Sequence, residues 1–414
     1  MCGTHTFGGQ MARELSEPTI SLVKATVPAL QAHGLDITRR MYERLFQNAE
    51  IRELFNQSHH GETGSQPQAL AGAVLAYAQN IDNLGALAGA VERIAQKHVG
   101  LNILPEHYPH VAEALLAAIK DVLGDAATPE ILAAWGEAYW FLADILIGRE
   151  SQIYAEHAAT PGGWVGWRDF VVAERRRESD VITSFVLKPA DGGKTAPHRP
   201  GQYLTLWLAV PGGAPLKRNY TISSAPGEDG YRISVKREPQ GAASNWLHEE
   251  AQPGDRLKVA APAGEFVLPE TAERPVVLVS GGVGLTPMVS MLGALARQGA
   301  GHAVHFVHGA MSGATHALGD EVRALAKASG GRIRTTFFYE KPRAQDVQGD
   351  AYDEAGLVTP DWLARHTPLS DADYFLCGPR AFLRAFVNGL VSHGVPPSRI
   401  HYEFFGPADE LLAA

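Results

Sequence analysis

A chain of 414 residues is too long for one hydrophobic core, and at 45% hydrophobic and 20% charged it has the make-up of a folded protein of two or three domains. A net charge of -9 argues against nucleic acid or an anionic membrane surface as the main partner. Two cysteines, Cys2 and Cys377, cannot build a disulfide framework and suit a reducing cytosol. The opening residues lack the basic and apolar regions of a signal peptide, and no stretch approaches the ~18 consecutive apolar residues of a membrane span. Residues 1–15 are expected to form a disordered extension, with Met11 a second candidate start.

From about Thr19 to Tyr154 the apolar pattern is helical throughout. Stripes run through Ile37-Met41-Leu45, Leu70-Val74-Tyr77-Ile81, Val91-Ile94-His98 and Tyr108-Val111-Leu115-Ile119. Thr128-Pro129 reads as a cap with proline at the first helical position, opening a stripe of Ile131, Trp135, Ala138, Leu142, Ile145 and Leu146. About six amphipathic helices with short links predict an all-α domain. Pro161-Gly162-Gly163 then marks a linker.

Beyond it the period drops to two. Residues 202–208 and 231–236 read as strands between Gly/Pro/Asp turns, so an antiparallel sheet or barrel is predicted up to about Pro269. From Arg274 onward strands at 275–280, 304–308, 333–339 and 374–377 alternate with helices at 287–298 and 380–393. That alternation predicts a doubly wound parallel sheet. There is no internal repeat.

Within the α domain, His98 falls on the buried side of its helix. A lone inward histidine is usually a hydrogen-bonded core residue. Here Tyr108 follows on the next helix stripe, and Glu150, four residues after Leu146, puts a carboxylate on an apolar face, where it needs a donor. A ligating imidazole normally gives its second N–H to such an acceptor, so His98, Tyr108 and Glu150 are a candidate metal-ligand group. Tyr42 borders the inward Met41/Leu45 face, and Gln66 and Leu70 share a face at i, i+4. A phenol and an amide are suitable donors to bound dioxygen, although core tyrosines are common.

Four clusters stand out in the second half. Arg218, Asn219, Tyr220 and Thr221, with Tyr203 upstream, could clamp a pyrophosphate and cover a flavin; the plain alternative is a strand with a stray arginine. Gly241, Ser244 and Asn245 read as a glycine turn into a helix whose free N–H groups, with Ser244, suit an anion. Gly282, Val283, Gly284, Leu285, Thr286 and Pro287 lie between a buried strand and a helix, where a diphosphate can approach the backbone. Cys377, Gly378 and Pro379 end a later strand at the same carboxyl edge, where open α/β sheets bind ligands. Cys377 is otherwise a small buried hydrophobe and is not read as a nucleophile.

Residues 19–154 resemble the globin domain of the flavohaemoglobins, through Met41-Tyr42-Glu43-Arg44-Leu45-Phe46, Leu54-Phe55-Asn56, Ile94-Ala95-Gln96-Lys97-His98, Pro105-Glu106-His107-Tyr108 and Ala134-Trp135-Gly136-Glu137-Ala138-Tyr139. Residues 164–414 resemble the ferredoxin-reductase-like flavoenzymes through the four clusters in order and the ending Glu403, Phe404, Phe405, Gly406 and Pro407. The resemblance implies one haem b with His98 as axial ligand and Tyr108 and Glu150 as its relay, and Tyr42, Gln66 and Leu70 lining the distal pocket. It implies one FAD on the first two clusters, NADH or NADPH on the last two, and Phe405 shielding the flavin ring. Lys97 facing the flavin and Glu403 near the flavin–haem gap would tune electron transfer; Lys97 is otherwise a solvated helix residue. The implied organisation is a globin haem domain at 16–154, a linker at 155–166, an antiparallel β-barrel FAD domain at 167–270 and a doubly wound α/β NAD(P)-binding domain at 271–414.

The implied activity is that of a nitric oxide dioxygenase: NAD(P)H electrons pass through FAD to haem, and haem-bound O2 oxidises nitric oxide to nitrate. The expected partners are nitric oxide, O2 and NAD(P)H, for a cytoplasmic monomer with no nucleic acid and no stable membrane insertion. The rivals are a haem–flavin reductase of peroxides or lipid hydroperoxides, which shares every motif, and an oxygen-binding or sensing globin, which leaves the hydride-accepting half unexplained. NADH is expected over NADPH, because no Arg or Lys lies between Val307 and Asp320 to hold a 2′-phosphate; Arg343 is a candidate to arrive from elsewhere.

Overall fold

The computed structural model describes residues 14–55, 65–210, 215–298 and 301–406. The chain divides into two units, Met1–Glu156 and His157–Ala414. Most of the expected N-terminal extension lies outside the described residues, and Ser16 caps the first helix by accepting the Thr19 N–H at 3.2 Å.

The first unit is helical: α1 (Glu17–Ala25), α2 (Val27–Leu45), α3 (Ala49–Leu54), α4 (Ser65–Gln79), α5 (Ala88–Gly100), α6 (Tyr108–Leu123) and α7 (Pro129–Ala159). Local chemistry sets several ends. Asn48 caps α3 through the Glu50 and Ile51 N–H groups, and α6 stops at Gly124, whose φ of 56° costs a glycine nothing. Met41, Leu45, Tyr77, Ile81, Leu115, Ile119, Trp135 and Ala138 form one apolar core, and Ala95, Val99, Ile103, Leu146 and Ile153 form a second around His98 and Glu150. Helix α7 runs to Ala159, into the segment expected as linker, because Glu156-His157-Ala158-Ala159 offers no breaker before Pro161. By length and composition α7 is long and apolar enough to cross a membrane. Its Trp135, Ala138, Leu146 and Ile153 are instead buried in the two cores.

The second unit opens with six antiparallel strands: β1 (Trp167–Arg177), β2 (Ile182–Pro189), β3 (Tyr203–Leu208), β4 (Leu216–Thr221), β5 (Tyr231–Lys236) and β6 (Arg256–Ala260), in the order β4-β3-β6-β1-β2-β5. A bridge between Ile222 and Ile233 brings the two edges together, so the sheet is a nearly closed barrel. Phe170, Phe185, Leu204, Leu206, Tyr231 and Ile233 fill it. Helix α8 (Ala242–Glu249) follows β5.

The remainder is a parallel sheet of β7 (Val276–Gly281), β8 (Val304–Ala310), β9 (Ile333–Tyr339), β10 (Glu354–Ala355), β11 (Asp373–Cys377) and β12 (Ile400–Glu403), in the order β10-β9-β8-β7-β11-β12. On one face Val276 and Leu278 pack with α9 (Leu285–Gln298) and α10 (Gly319–Ala328). On the other, Val277 and Val279 pack with α11 (Pro360–His366) and α12 (Arg380–Ser392). The chain winds outward from β7 to β10 and then returns to β11 on β7's other side. The switch point between β7 and β11 is where doubly wound sheets bind ligands.

Candidate functional site

In the helical unit, α5, α6 and α7 bring three predicted residues together. His98 Nδ1 lies 2.7 Å from Glu150 Oε1, and the Tyr108 hydroxyl donates to the same oxygen at 2.6 Å and lies 3.1 Å from Nδ1. Glu150 is 2% exposed, so the acceptor is shielded from water. Burial, then the Glu150 charge, pushes the Tyr108 phenol well above its ordinary value, keeping it a donor. With Nδ1–H given to the carboxylate, Nε2 of His98 keeps a lone pair that could bind a metal. Glu150 Oε2 is buried and has no hydrogen-bond partner among the described residues. Two further tyrosines frame the group: the Tyr139 hydroxyl donates to the Tyr108 carbonyl and that of Tyr154 to the Ile103 carbonyl, each at 2.7 Å. Tyr154 was not singled out from sequence, because its hydroxyl reaches back 51 residues.

No three His, Cys, Asp or Glu side chains gather as a metal cluster among the described residues. One buried-partnered imidazole fits an iron that brings four porphyrin nitrogens of its own. The predicted pair on α2 and α4 also meets: Tyr42, 7% exposed, is hydrogen-bonded to the Gln66 side chain. Burial raises the Tyr42 phenol, and that bond lowers it. Phe46 and Phe55 lie against its ring, with centroids 5.4 and 5.8 Å away. Leu70 packs half-buried on the same core. Lys97 is exposed beside His98.

In the barrel, β3 and β4 pair Tyr203 with Thr221, Leu204 with Tyr220 and Leu206 with Arg218. The Tyr203 hydroxyl is buried with no hydrogen-bond partner among the described residues, and burial pushes its phenol up. The buried Tyr203 phenol fits a polar ligand lying at this strand pair, and Arg218 is half-buried further along β4. Burial holds the Arg218 guanidinium below its ordinary value, and its Nη1 donates to the Lys217 carbonyl at 2.8 Å. Asn219 is tied to Thr205 Oγ1 at 2.9 Å. The second cluster forms a hydrogen-bonded turn. Ser244 Oγ donates to the Gly241 carbonyl and accepts the Glu238 N–H, both at 3.1 Å, and the Asn245 amide donates to the Glu238 carbonyl at 3.1 Å. Both side chains therefore shape the turn at Gly241 that opens α8.

The glycine turn sits at the switch point. Gly282 has φ 57°, and a Cβ on Gly284 would fall 2.2 Å from the Cys377 carbonyl oxygen, so only glycine fits. Val283 shares this turn, and Leu285, Thr286 and Pro287 open α9 as buried residues, Thr286 Oγ1 donating to the Val283 carbonyl at 3.1 Å. A Cβ on Gly281 would meet Pro379, and one on Gly378 would meet Phe382, so the ends of β7 and β11 adjoin. Cys377 is fully buried and burial pushes its thiol up, which suits packing and not nucleophilic attack. Glu403 pairs in register with Cys377, and its charge is felt by Tyr203. The β11–β12 side of the sheet thus lies toward β3 of the barrel. Phe404 is half-buried against α12, Phe405 is 47% exposed, and Gly406 packs on the Phe404 ring. Pro407 lies outside the described residues.

Sequence comparison matches residues 39–146 to the globin family model, 169–268 to the oxidoreductase FAD-binding domain and 278–388 to the oxidoreductase NAD-binding domain. A flavohemoprotein of Xylella fastidiosa is 52% identical over 404 residues, covering 98% of this chain and 100% of its own. One from Rhodopirellula baltica is 47% identical over 408 residues, covering 96% and 100%. Among solved structures, the flavohemoglobin of Malassezia yamatoensis with bound FAD and heme aligns at TM-score 0.84 and 28% identity, over 95% of this chain and 100% of that one. The FAD/NAD-binding domain of a nitric oxide dioxygenase from Vibrio cholerae aligns at TM-score 0.53 and 39% identity, over 58% and 99%. With His98, Tyr108 and Glu150 joined in one unit, a glycine turn at the sheet's switch point in the other, and relatives matched from end to end, the chain belongs to the flavohaemoproteins, oxidoreductases that carry haem and FAD and take electrons from a nicotinamide nucleotide.

Proposed function

We propose that this flavohaemoprotein is a nitric oxide dioxygenase, acting as a cytoplasmic monomer. The observation that carries the reading is the shared bond of His98 and Tyr108 to one oxygen of buried Glu150. A store or sensor of O2 needs only a neutral histidine ligand. A carboxylate drawing on Nδ1–H makes the imidazole a stronger electron donor, which favours O2 activation. When bound, the haem supplies the iron that takes up O2, and FAD converts a hydride into single electrons.

The residues then divide the work. Glu150 holds the His98 tautomer and Tyr108 fixes Glu150. Tyr42 and Gln66 offer O–H and N–H donors where negative charge develops on oxygen, and Leu70, Phe46 and Phe55 keep that space apolar. Tyr203, Arg218, Tyr220 and Thr221 hold the flavin, while the Gly282–Gly284 turn receives the nucleotide diphosphate. The electron count is consistent: nitric oxide gives up three electrons on becoming nitrate and O2 accepts four. Each turnover therefore draws one electron from outside, and one hydride serves two turnovers.

The test is NADH oxidation under air with nitric oxide, compared with hydrogen peroxide and a lipid hydroperoxide. Fast turnover with nitric oxide alone supports the reading. Turnover with hydroperoxide but not nitric oxide would replace it by the peroxide reductase.

A further inference from the structure

The loop after β8 carries a contact between residues 33 positions apart. Asp346, 9% exposed, accepts the Gly313 N–H at 3.0 Å and the Arg343 N–H at 2.8 Å through Oδ2, and the Arg343 Nη2 donates to its Oδ1 at 3.3 Å. The approach is close. A Cβ on Gly313 would fall 2.5 Å from Asp346 Oδ1 and 3.4 Å from Arg343 Nη2. Arg343, a candidate cation for a 2′-phosphate, does reach this loop, and it arrives held by a carboxylate.

The loop's place on the sheet gives the contact its meaning. A dinucleotide with its diphosphate on the Gly282–Gly284 turn extends both ways along the carboxyl edge. The β11–β12 side faces β3, the strand read as holding the flavin, since the Glu403 charge acts on the Tyr203 phenol, so the nicotinamide goes that way. The adenosine must then lie over the ends of β8 and β9, where Gly313, Arg343 and Asp346 sit. Lys341 also reaches this edge, its N–H bonded to the Met311 carbonyl at 2.8 Å, but an ammonium lacks the bidentate fork that fits a phosphate.

We propose that Asp346 sets the preference for NADH by holding Arg343, so that the guanidinium is neutralised and turned from an incoming 2′-phosphate. The inference rests on reading the carboxyl edge as the nucleotide site, and is independent of what the haem unit oxidises. Asp346→Asn keeps an oxygen for the two N–H groups and turns an amide N–H toward Arg343, which releases the guanidinium.

The experiment is calorimetric titration of the FAD- and haem-loaded protein with 5′-AMP and with adenosine 2′,5′-bisphosphate. The native protein is expected to bind the bisphosphate no tighter than 5′-AMP. In Asp346→Asn the bisphosphate should gain roughly ten-fold with 5′-AMP unchanged, and adding Arg343→Ala should cancel the gain. Arg343→Ala alone, which leaves Asp346 and the Gly313 bond in place, should change neither affinity; it decides the matter if Asp346→Asn does not fold. Loss of bisphosphate affinity in Arg343→Ala, or an unchanged ratio in Asp346→Asn, would overturn the proposal. Failure of both nucleotides to bind the native protein would overturn the site assignment and the proposal with it.

Discussion

Replacing Glu150 by glutamine removes one charge from the His98 group and leaves its shape. The amide oxygen can still accept from His98 Nδ1 and Tyr108, now 2.7 and 2.6 Å from Oε1. Each bond changes from charge-assisted to neutral, from about 1.5–3 kcal/mol to about 1 kcal/mol. The amide nitrogen falls where Oε2 is buried with no hydrogen-bond partner among the described residues, so a stability loss of about 1–3 kcal/mol is expected as well. The His98 bond strengthens as the iron gains positive charge, so the loss falls mainly on the oxidised form. A difference of about 1.4 kcal/mol corresponds to about 60 mV for a one-electron couple. The variant should therefore keep its haem, show a potential raised by roughly 50–100 mV, and lose roughly 10- to 100-fold in turnover. Spectroelectrochemical titration and single-turnover kinetics read the two effects. If Glu150→Gln is less stable but keeps both its potential and its turnover per folded molecule, the carboxylate is structural and the argument from the relay fails.

Three further expectations follow from the geometry. His98→Ala should lose stoichiometric haem while retaining FAD; a normal haem spectrum in that variant would remove His98 as the ligand. Gly284→Ala puts a methyl 2.2 Å from the Cys377 carbonyl oxygen, so it should cost about 1–3 kcal/mol and raise the KM for NADH, and a native melting point with native KM would contradict the packing at the switch point. Burial depresses the imidazoles of His198 and His316 to about 4, and holds that of His308 well below its ordinary 6.5. Folded-state values below unfolded ones mean stability is full above pH 6.5 and falls toward pH 4, as the unfolded chain takes up protons that the fold refuses. The reductase unit should thus melt progressively lower between those limits, and a flat profile of FAD release against pH would count against it.

What the sequence made legible follows from the range of each interaction. His98 and Glu150 stood out because helical periodicity places both inward, and a buried carboxylate demands a donor wherever the helices cross. The glycine turn was legible because a strand and a helix flank it. Strand β1 was not, since Glu174-Arg175-Arg176-Arg177 is charged and a register shift between Val172 and Glu174 breaks the alternation. Ser244 and Asn245, expected as ligand groups, also bond to nearby backbone at the turn before α8, as side chains of these types do. The joint of Arg232 with Glu321, at 2.7 and 2.9 Å, ties the barrel to α10 across 89 residues with no local pattern to announce it. Asp346 was hidden for the same reason: its importance lies in Gly313, which only the folded loop brings near.

The most direct test of the central claim is the ratio of products. With purified, fully loaded protein under air, limiting NADH and excess nitric oxide, nitrate should form at two per NADH consumed, because each turnover takes one external electron. Nitrate near that ratio, lost in His98→Ala, is what a nitric oxide dioxygenase requires. NADH consumed with no nitrate formed would contradict the assignment and leave a haem–flavin reductase of some other acceptor.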